Sequence, residues 1–355
     1  MGAEFVFSDV VLPATGVLHV TVRLPSCPLL GISVDFSRGF LHTDPAGSLS
    51  KGGSSMDLAS FKYDPDPGKG PALGPAPQPA VGLELLAALS GKWVGEGFNT
   101  IWRPHQVSTG QDRFLELNVT EETLEFAEIP GQIPNRGLLQ PDLEMAGLTY
   151  LQQISDKNVP APGNGLHVEP GVWLNIPATA NPVESKSVAR LASIPHGTTI
   201  LAQGIASKAS GAPSILPINI DPFPIGNPGA AAPFPEQNLL TNTPFRTANL
   251  NGINQAMVDN PNSVLVGRLN PPNVVSTTTL HVSTIDLPVV GGGTLGTAFL
   301  DGGPAGPNAG VEQVSATFWI EELAGNKFQL QYSQVVILNF NHLSWPHVTV
   351  ATLER

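Results

Sequence analysis

The chain has a single cysteine, Cys27, in 355 residues, which excludes an intrachain disulfide. A lone thiol of this kind reads as a small buried hydrophobe rather than a nucleophile. Charge is also scarce: Asp, Glu, Lys and Arg make up 13%, about half the usual globular share. The balance is acidic, with a formal net charge of -12, and no cluster of Lys or Arg occurs. Phosphate backbones are bound by such clusters, so a nucleic-acid partner is disfavoured. No stretch of about 18 apolar residues is present, and no transmembrane helix is expected. The basic-then-apolar pattern of a secretory signal is missing from the N-terminus. A cytoplasmic location is expected, although a secreted protein without disulfides has the same cysteine usage. Motifs for other enzyme classes are absent too: there is no G-x-S-x-G elbow, phosphate-binding glycine loop, H-E-x-x-H or C-x-x-C.

What the chain does have is 37 glycines, 35 prolines and a hydrophobic share of 41%. Gly and Pro interrupt helices and punctuate turns, while the apolar share is enough for a sizeable core. Aliphatic alternation persists between the turn residues, so the composition predicts a β-rich protein with long ordered loops. Residues 5–12, 17–24 and 31–42 read as three short strands. Residues 46–81 are linker-like and end in closely spaced prolines, which favour extended spacing. Residues 83–90 (LELLAALS) form the best helix in the sequence. Strands are predicted over 91–102, 112–126, 146–156, 165–177, 187–194 and 197–207, and again over 274–287, 296–300, 311–323, 328–340 and 345–354. Residues 208–275 are rich in Pro, Asn and Gly. A segment of that length inside a domain is functional or contains small elements of its own. About ten strands after one short helix predict a closed antiparallel barrel, because closure removes exposed edges. Barrels of this size can enclose a ligand.

The last eleven residues carry the sharpest chemical signal. His347, Thr349, Ala351 and Leu353 share one face of a strand. A histidine followed by small residues on its own face leaves room beside the ring. Neutral imidazole is a common metal ligand, and a planar cofactor such as heme needs that kind of open side.

The order of segments resembles nitrobindin, the heme-binding β-barrel family of the wider calycin group. That family opens with a Leu-rich helix and a strand of the type G-T-W-x-G-x-G-x-Y-P-T-I; here residues 83–89 precede Gly91-Lys92-Trp93-Val94-Gly95-Glu96-Gly97-Phe98-Asn99-Thr100-Ile101. The acidic strand that runs into an aromatic corresponds to residues 116–126, and Leu148-Thr149-Tyr150-Leu151-Gln152 is similar to L-x-Y-x-Q. Leu166-His167-Val168-Glu169-Pro170-Gly171 is similar to the H-x-E-x-G segment, and residues 347–355 to the closing H-L-x-A-x-L-x-R. The resemblance covers about 83–205 and 311–355. The Tyr-Leu-Arg after H-x-E is Val172-Trp173-Leu174 here, and the family's Met-Ala before the last hairpin is missing.

The resemblance implies ferric heme b with His347 as axial ligand, and a pocket lined by Thr100 and Ile101 with His167 nearby. It also implies reactions with nitrogen oxides, including peroxynitrite isomerisation. For His347 the alternative is a capping or core histidine. His167 and Glu169 lie on one strand face; they are either a distal histidine held by a carboxylate, able to shuttle a proton, or a polar pair at the barrel rim. His196 and His105 read as turn histidines, and His342 as a loop residue that makes only a weak two-histidine site with His347. Arg190 shares a face with Val188 and Ala192. It could pair with a heme propionate, but an outward orientation is favoured. Trp93 reads as barrel floor, and Glu116, Glu121 and Glu122 as a solvated strand face. The Asn118-Val119-Thr120 glycosylation triplet is of a kind frequent by chance.

The sequence thus predicts an all-β protein: a closed antiparallel β-barrel of about ten strands with a short N-terminal helix and an added N-terminal β extension. The expected organisation is an extension at 1–62, a Pro/Gly-rich linker at 63–82, and a barrel at 83–355 carrying an insertion at about 208–275. The expected function is heme chemistry on a small oxidant, either nitric oxide or peroxynitrite, or peroxide in a peroxidase-like reaction. Two other readings stay open. One is a heme-free barrel binding an apolar small molecule as carrier or isomerase/cyclase; the other is an interaction protein, with a homo-oligomer compatible with any of the three.

Overall fold

The computed structural model describes residues 82–105, 113–194, 197–285, 292–296 and 309–355, together with the backbone of 17–22 and 30–35. The predicted strand at 5–12, Cys27 and His196 lie outside the described residues. The chain divides into two compact units, Met1–Asp66 and Pro67–Arg355. In the first, β1 (Val17–Val22) and β2 (Leu30–Asp35) pair antiparallel, with Val17 opposite Asp35 and Val22 opposite Leu30.

The second unit opens with a tight 3-10 helix, Glu84–Leu89, within the segment predicted as helical. Six residues are too few for a stable free-standing α-helix, and packing holds this one. Leu86 and Leu89 are buried in the interior core cluster. Trp93 lies beneath them as predicted and donates its Nε1 proton to the Leu89 carbonyl at 2.7 Å. After the helix come β3 (Gly91–Pro104), β4 (Arg113–Glu128), β5 (Ile133–Asn135), β6 (Leu143–Asp156), β7 (Gly165–Ile176), β8 (Thr179–Ala180), β9 (Val183–Glu184), β10 (Ser187–Ser193) and β11 (Thr198–Ser210). The chain continues with β12 (Phe223–Pro224), α1 (Gln255–Asp259), α2 (Ser263–Arg268), β13 (Val274–Ser283), β14 (Gly293–Gly296), β15 (Gly310–Leu323), β16 (Lys327–Phe340) and β17 (Leu343–Glu354).

Ten of these strands close into an antiparallel up-and-down barrel in the order β3-β4-β6-β7-β10-β11-β13-β15-β16-β17, and β17 returns to pair with β3. Each barrel strand is hydrogen-bonded to the next one in sequence. Short turns therefore suffice for joins such as β15 to β16 and β16 to β17, whereas β11 and β13 are joined by the long segment 211–273. Strands β14 and β12 add short pairings to β11 and β17.

Alternation divides the core in two. The interior cluster takes every second residue of the wall, among them Trp93, Leu124, Phe126, Leu148, Trp173, Val188, Leu280, Phe318, Leu330 and Ala351. The second cluster is on the outside. Phe98, Trp102, Leu115, Leu117, Trp319, Val348 and Val350 face away from the lumen and are covered by Ile220, Val258 and Leu265 of the segment between β11 and β13. That segment, residues 211–273, carries small elements of its own: two short α-helices and three 3-10 turns. It is fixed to the wall by Trp102, whose Nε1 donates to the Ile220 carbonyl at 2.9 Å. Arg246 adds a second tie within the insertion, donating to the carbonyls of Glu236, Asn238 and Thr241. No helix among the described residues is long and apolar enough to cross a membrane.

Candidate functional site

The 3-10 helix and Trp93 plug one end of the barrel. At the other end β3, β6, β10, β13 and β16 finish and β4, β7, β11, β15 and β17 begin. Among the described residues two histidines face inward, and both belong to this second end. His347 is near the start of β17 on the face of Ala351 and Leu353, and His167 is near the start of β7 on the face of Glu169 and Trp173. In the strand order β7 is four strands round the wall from β17, so the two rings look in from well-separated parts of it.

His347 is half-buried. Its Nε2 lies 3.1 Å from Oδ1 of Asn99, a residue on β3 that is itself buried. Strands β3 and β17 stay paired only as far as Thr100 opposite Val348. Beyond that point the start of β17 pairs with β16, where Val336 is opposite His347. Ile101 lies on the inward face of β3 and is half-buried. Thr100 lies on the opposite face, with Phe98 and Trp102, and is fully buried beneath the insertion, its hydroxyl 3.3 Å from the Val348 carbonyl. Ile101 and Thr100, adjacent in sequence, therefore face opposite sides of the wall.

Below His167 a belt of polar side chains crosses the lumen. His167 Nε2 is 3.1 Å from Oε2 of Glu169. The other carboxylate oxygen accepts from Arg190 Nη2 and from the Tyr150 hydroxyl. Arg190 also donates through Nε to the Tyr150 oxygen at 2.9 Å and through Nη1 to Gln334 Oε1 on β16 at 2.7 Å. Arg190 is 1% exposed and Glu169 0%, so the favoured outward reading of Arg190 is corrected. Its planar fork fits this position because five donors can reach three different acceptors.

A second group lies in the same lumen. Glu122 accepts from Gln152 Nε2 at 2.6 Å and from the Tyr332 hydroxyl at 2.7 Å, and Gln152 also donates to Tyr332. Glu122 is 2% exposed, so it does not belong to a solvated strand face; Glu121, on the other face of the same strand, is exposed as expected. The signal was present in the sequence: Glu122 has the parity of Leu124 and Phe126.

The two carboxyl groups titrate in opposite directions. Burial pushes Glu169 up, but the Arg190 guanidinium and the hydrogen bonds from His167 and Tyr150 outweigh it and hold the pKa at about 2. Glu122 has no cation in contact, and burial pushes it up to about 7 despite the hydrogen bonds from Tyr332 and Gln152. Burial also raises both tyrosines well above their ordinary value. Arg190 is kept charged, because the adjacent Glu169 outweighs the effect of burial.

The remaining expected residues have plain positions. His105 packs against the rings of Phe114 and Phe245. His342 is exposed in the β16–β17 turn, with a φ of 65°. Glu116 is half-buried and pairs with Arg103 at 2.9 Å. Asn118 is buried and donates to Asp156 at 2.9 Å, so as folded it is not accessible for glycosylation. Among the described residues no three His, Cys, Asp or Glu side chains are grouped to hold a metal ion. No protein-family profile matches the chain, and no curated protein matches its sequence.

Proposed function

We propose that the chain is a ligand-binding barrel of calycin type, with its site at the end away from the plug, and that its ligand there is heme b held through His347. The observation that carries this reading is the inward-facing His347, close to the buried Asn99 and flanked by Val336 and Ile101. The donor set suits heme better than a free ion. A porphyrin brings four nitrogen ligands and needs one or two from the protein, whereas no three-ligand group is assembled among the described residues. An imidazole with one ring nitrogen held by a neighbouring amide is also the arrangement that orients a metal-ligating histidine. Thr100 faces away from the lumen, so Ile101 is the one of that pair suited to line the site.

When bound, the heme supplies an iron centre for small oxidants such as nitric oxide, peroxynitrite or peroxide. This chain's residues hold and move the proton. His167, its Nε2 proton donated to the ionised Glu169, would take and return a proton at the other ring nitrogen, Nδ1, while Arg190 and Tyr150 hold the carboxylate in place. A second reading is favoured by the split between Glu122 and Glu169. One lumen carboxyl poised near neutrality and another firmly ionised is the pattern of an acid–base pair, as an isomerase or cyclase acting on an apolar molecule would use.

Titration of the purified chain with hemin separates the two. The heme reading expects a Soret band that saturates at one heme per chain, loss of that band in His347→Ala, and retention with altered peroxide reactivity in His167→Ala. Equal heme content in His347→Ala and wild type would eliminate the axial assignment.

A further inference from the structure

The segment between β11 and β13 covers one part of the barrel exterior; on another part, outward apolar side chains are exposed among the described residues. On β6, β7, β10 and β11 the outward positions are Gly147, Thr149, Leu151 and Gln153; then the alternate residues from Leu166 to Ile176, Ser187 to Ser193, and Thr199 to Ala209. None of these is Asp, Glu, Lys, Arg or His. Leu151, Val168, Leu191, Leu201 and Ile205 are exposed by between 36% and 44%. A groove of about 500 Å³ runs across the same wall between Pro170, Leu191, Thr199, Leu201 and Leu295. Four adjacent strands without one outward charge are notable in a molecule whose net charge is -12. On the opposite wall the outward residues Phe98, Trp102, Leu115, Leu117, Val348 and Val350 are covered, and Val94 near the plugged end is exposed.

We propose that this uncharged wall is the surface through which two copies of the chain associate. Two copies at -12 repel each other, and they approach at least cost where neither presents a charge. An apolar, uncharged face is complementary to itself across a two-fold axis, as an isologous dimer requires. Four strands about 4.8 Å apart, with outward spans of about seven to eleven residues at about 3.3 Å per residue, give a footprint of roughly 600 Å². That approaches the ~800 Å² per partner of an ordinary stable interface. A bilayer is a poorer match, because the wall offers neither the Lys and Arg that anionic headgroups attract nor the Trp and Tyr of an interfacial belt.

Sedimentation velocity on the full chain from about 0.1 to 100 μM tests this. The expected result is a concentration-dependent dimer, and Leu201→Lys should raise its dissociation constant by at least about tenfold. Leu191→Thr keeps strand propensity with a polar group and should act in the same direction. The melting temperature and far-UV spectrum of each variant report folding, so one that misfolds is set aside in favour of the other. A monomer at every concentration, or a dimer unaffected by Leu191→Thr and Leu201→Lys in folded protein, overturns the proposal. So does a monomer that binds anionic vesicles through this wall.

Discussion

Arg190 is a cation with no exposure to water, and it is stable in the lumen only because Glu169, Tyr150 and Gln334 answer its donors. Removing one partner of such a pair leaves the other charge buried and uncompensated. Arg190→Met is therefore expected to cost about 3–5 kcal/mol, while Arg190→Met combined with Glu169→Leu should cost less than that single change. Urea unfolding of the three proteins checks the order; a double variant weaker than the single one would contradict it. Glu122 behaves differently, because no cation touches it and burial outweighs the pull of the more distant Arg190. Glu122→Gln keeps the shape and removes the ionisation, so it should leave stability near pH 5 almost unchanged and raise it at pH 8. Thermal melts at the two pH values read this directly.

At the scale of elements, the closing seam between β3 and β17 depends on glycine. A Cβ at Gly97 would lie 2.2 Å from the Val350 carbonyl and 2.9 Å from Ala351 Cβ, so the two strands meet there only because the side chain is missing. Gly97→Ala should cost about 1–3 kcal/mol through overpacking and should speed hydrogen exchange in β17. Gly267 in α2 is a useful contrast: a Cβ there meets nothing within 4 Å, and Gly267→Ala should be neutral or stabilise by up to about 1 kcal/mol. The insertion depends on aromatic packing instead. The Trp102 ring packs tilted against Trp345 at 5.2 Å and edge-on against Phe234 at 6.0 Å. Trp102→Ala should cost about 3–5 kcal/mol and open residues 211–273 to proteolysis before the barrel strands are cut.

For the whole molecule, the perturbed carboxyl groups set a pH window. Glu122 and Glu321 are both pushed up to about 7 by burial. Their folded forms bind protons more tightly than the unfolded chain does, so the stability they provide is full below about pH 4.5 and is lost as pH rises through about 7. Each loss amounts to about 3 kcal/mol at most. Glu169 has the opposite sign. Its folded pKa of about 2 gives stability that is present above about pH 4.5 and lost as pH falls toward 2. The melting temperature should therefore peak between about pH 4 and 5.5 and fall by several degrees by pH 8. A peak at pH 8 would show that Glu122 and Glu321 ionise in the folded state at their ordinary values.

Strand positions were legible in the sequence because they depend on local alternation and on Gly and Pro between the runs. Predicted strands such as 91–102, 165–177 and 328–340 overlap β3, β7 and β16 closely, and meander pairing then makes a ten-strand barrel the natural closure. The inward position of His347 was readable in the same way, from its parity with Ala351 and Leu353. Other assignments needed tertiary structure. On β3 both faces carry large apolar residues, Trp93 on one and Phe98 and Trp102 on the other, so the pattern alone cannot say which is the lumen. Which face is which follows from the insertion, which covers the outer side, and so only the fold places Thr100 outside and Ile101 inside. Arg190 was ambiguous for a related reason. A lone cation on an apolar strand face is stable inside only if a counter-charge reaches it, and that counter-charge, Glu169, comes from a neighbouring strand 21 residues away. Alternation is a property of one strand, whereas charge pairing, seam closure and coverage are properties of strands brought together, and those the fold decided.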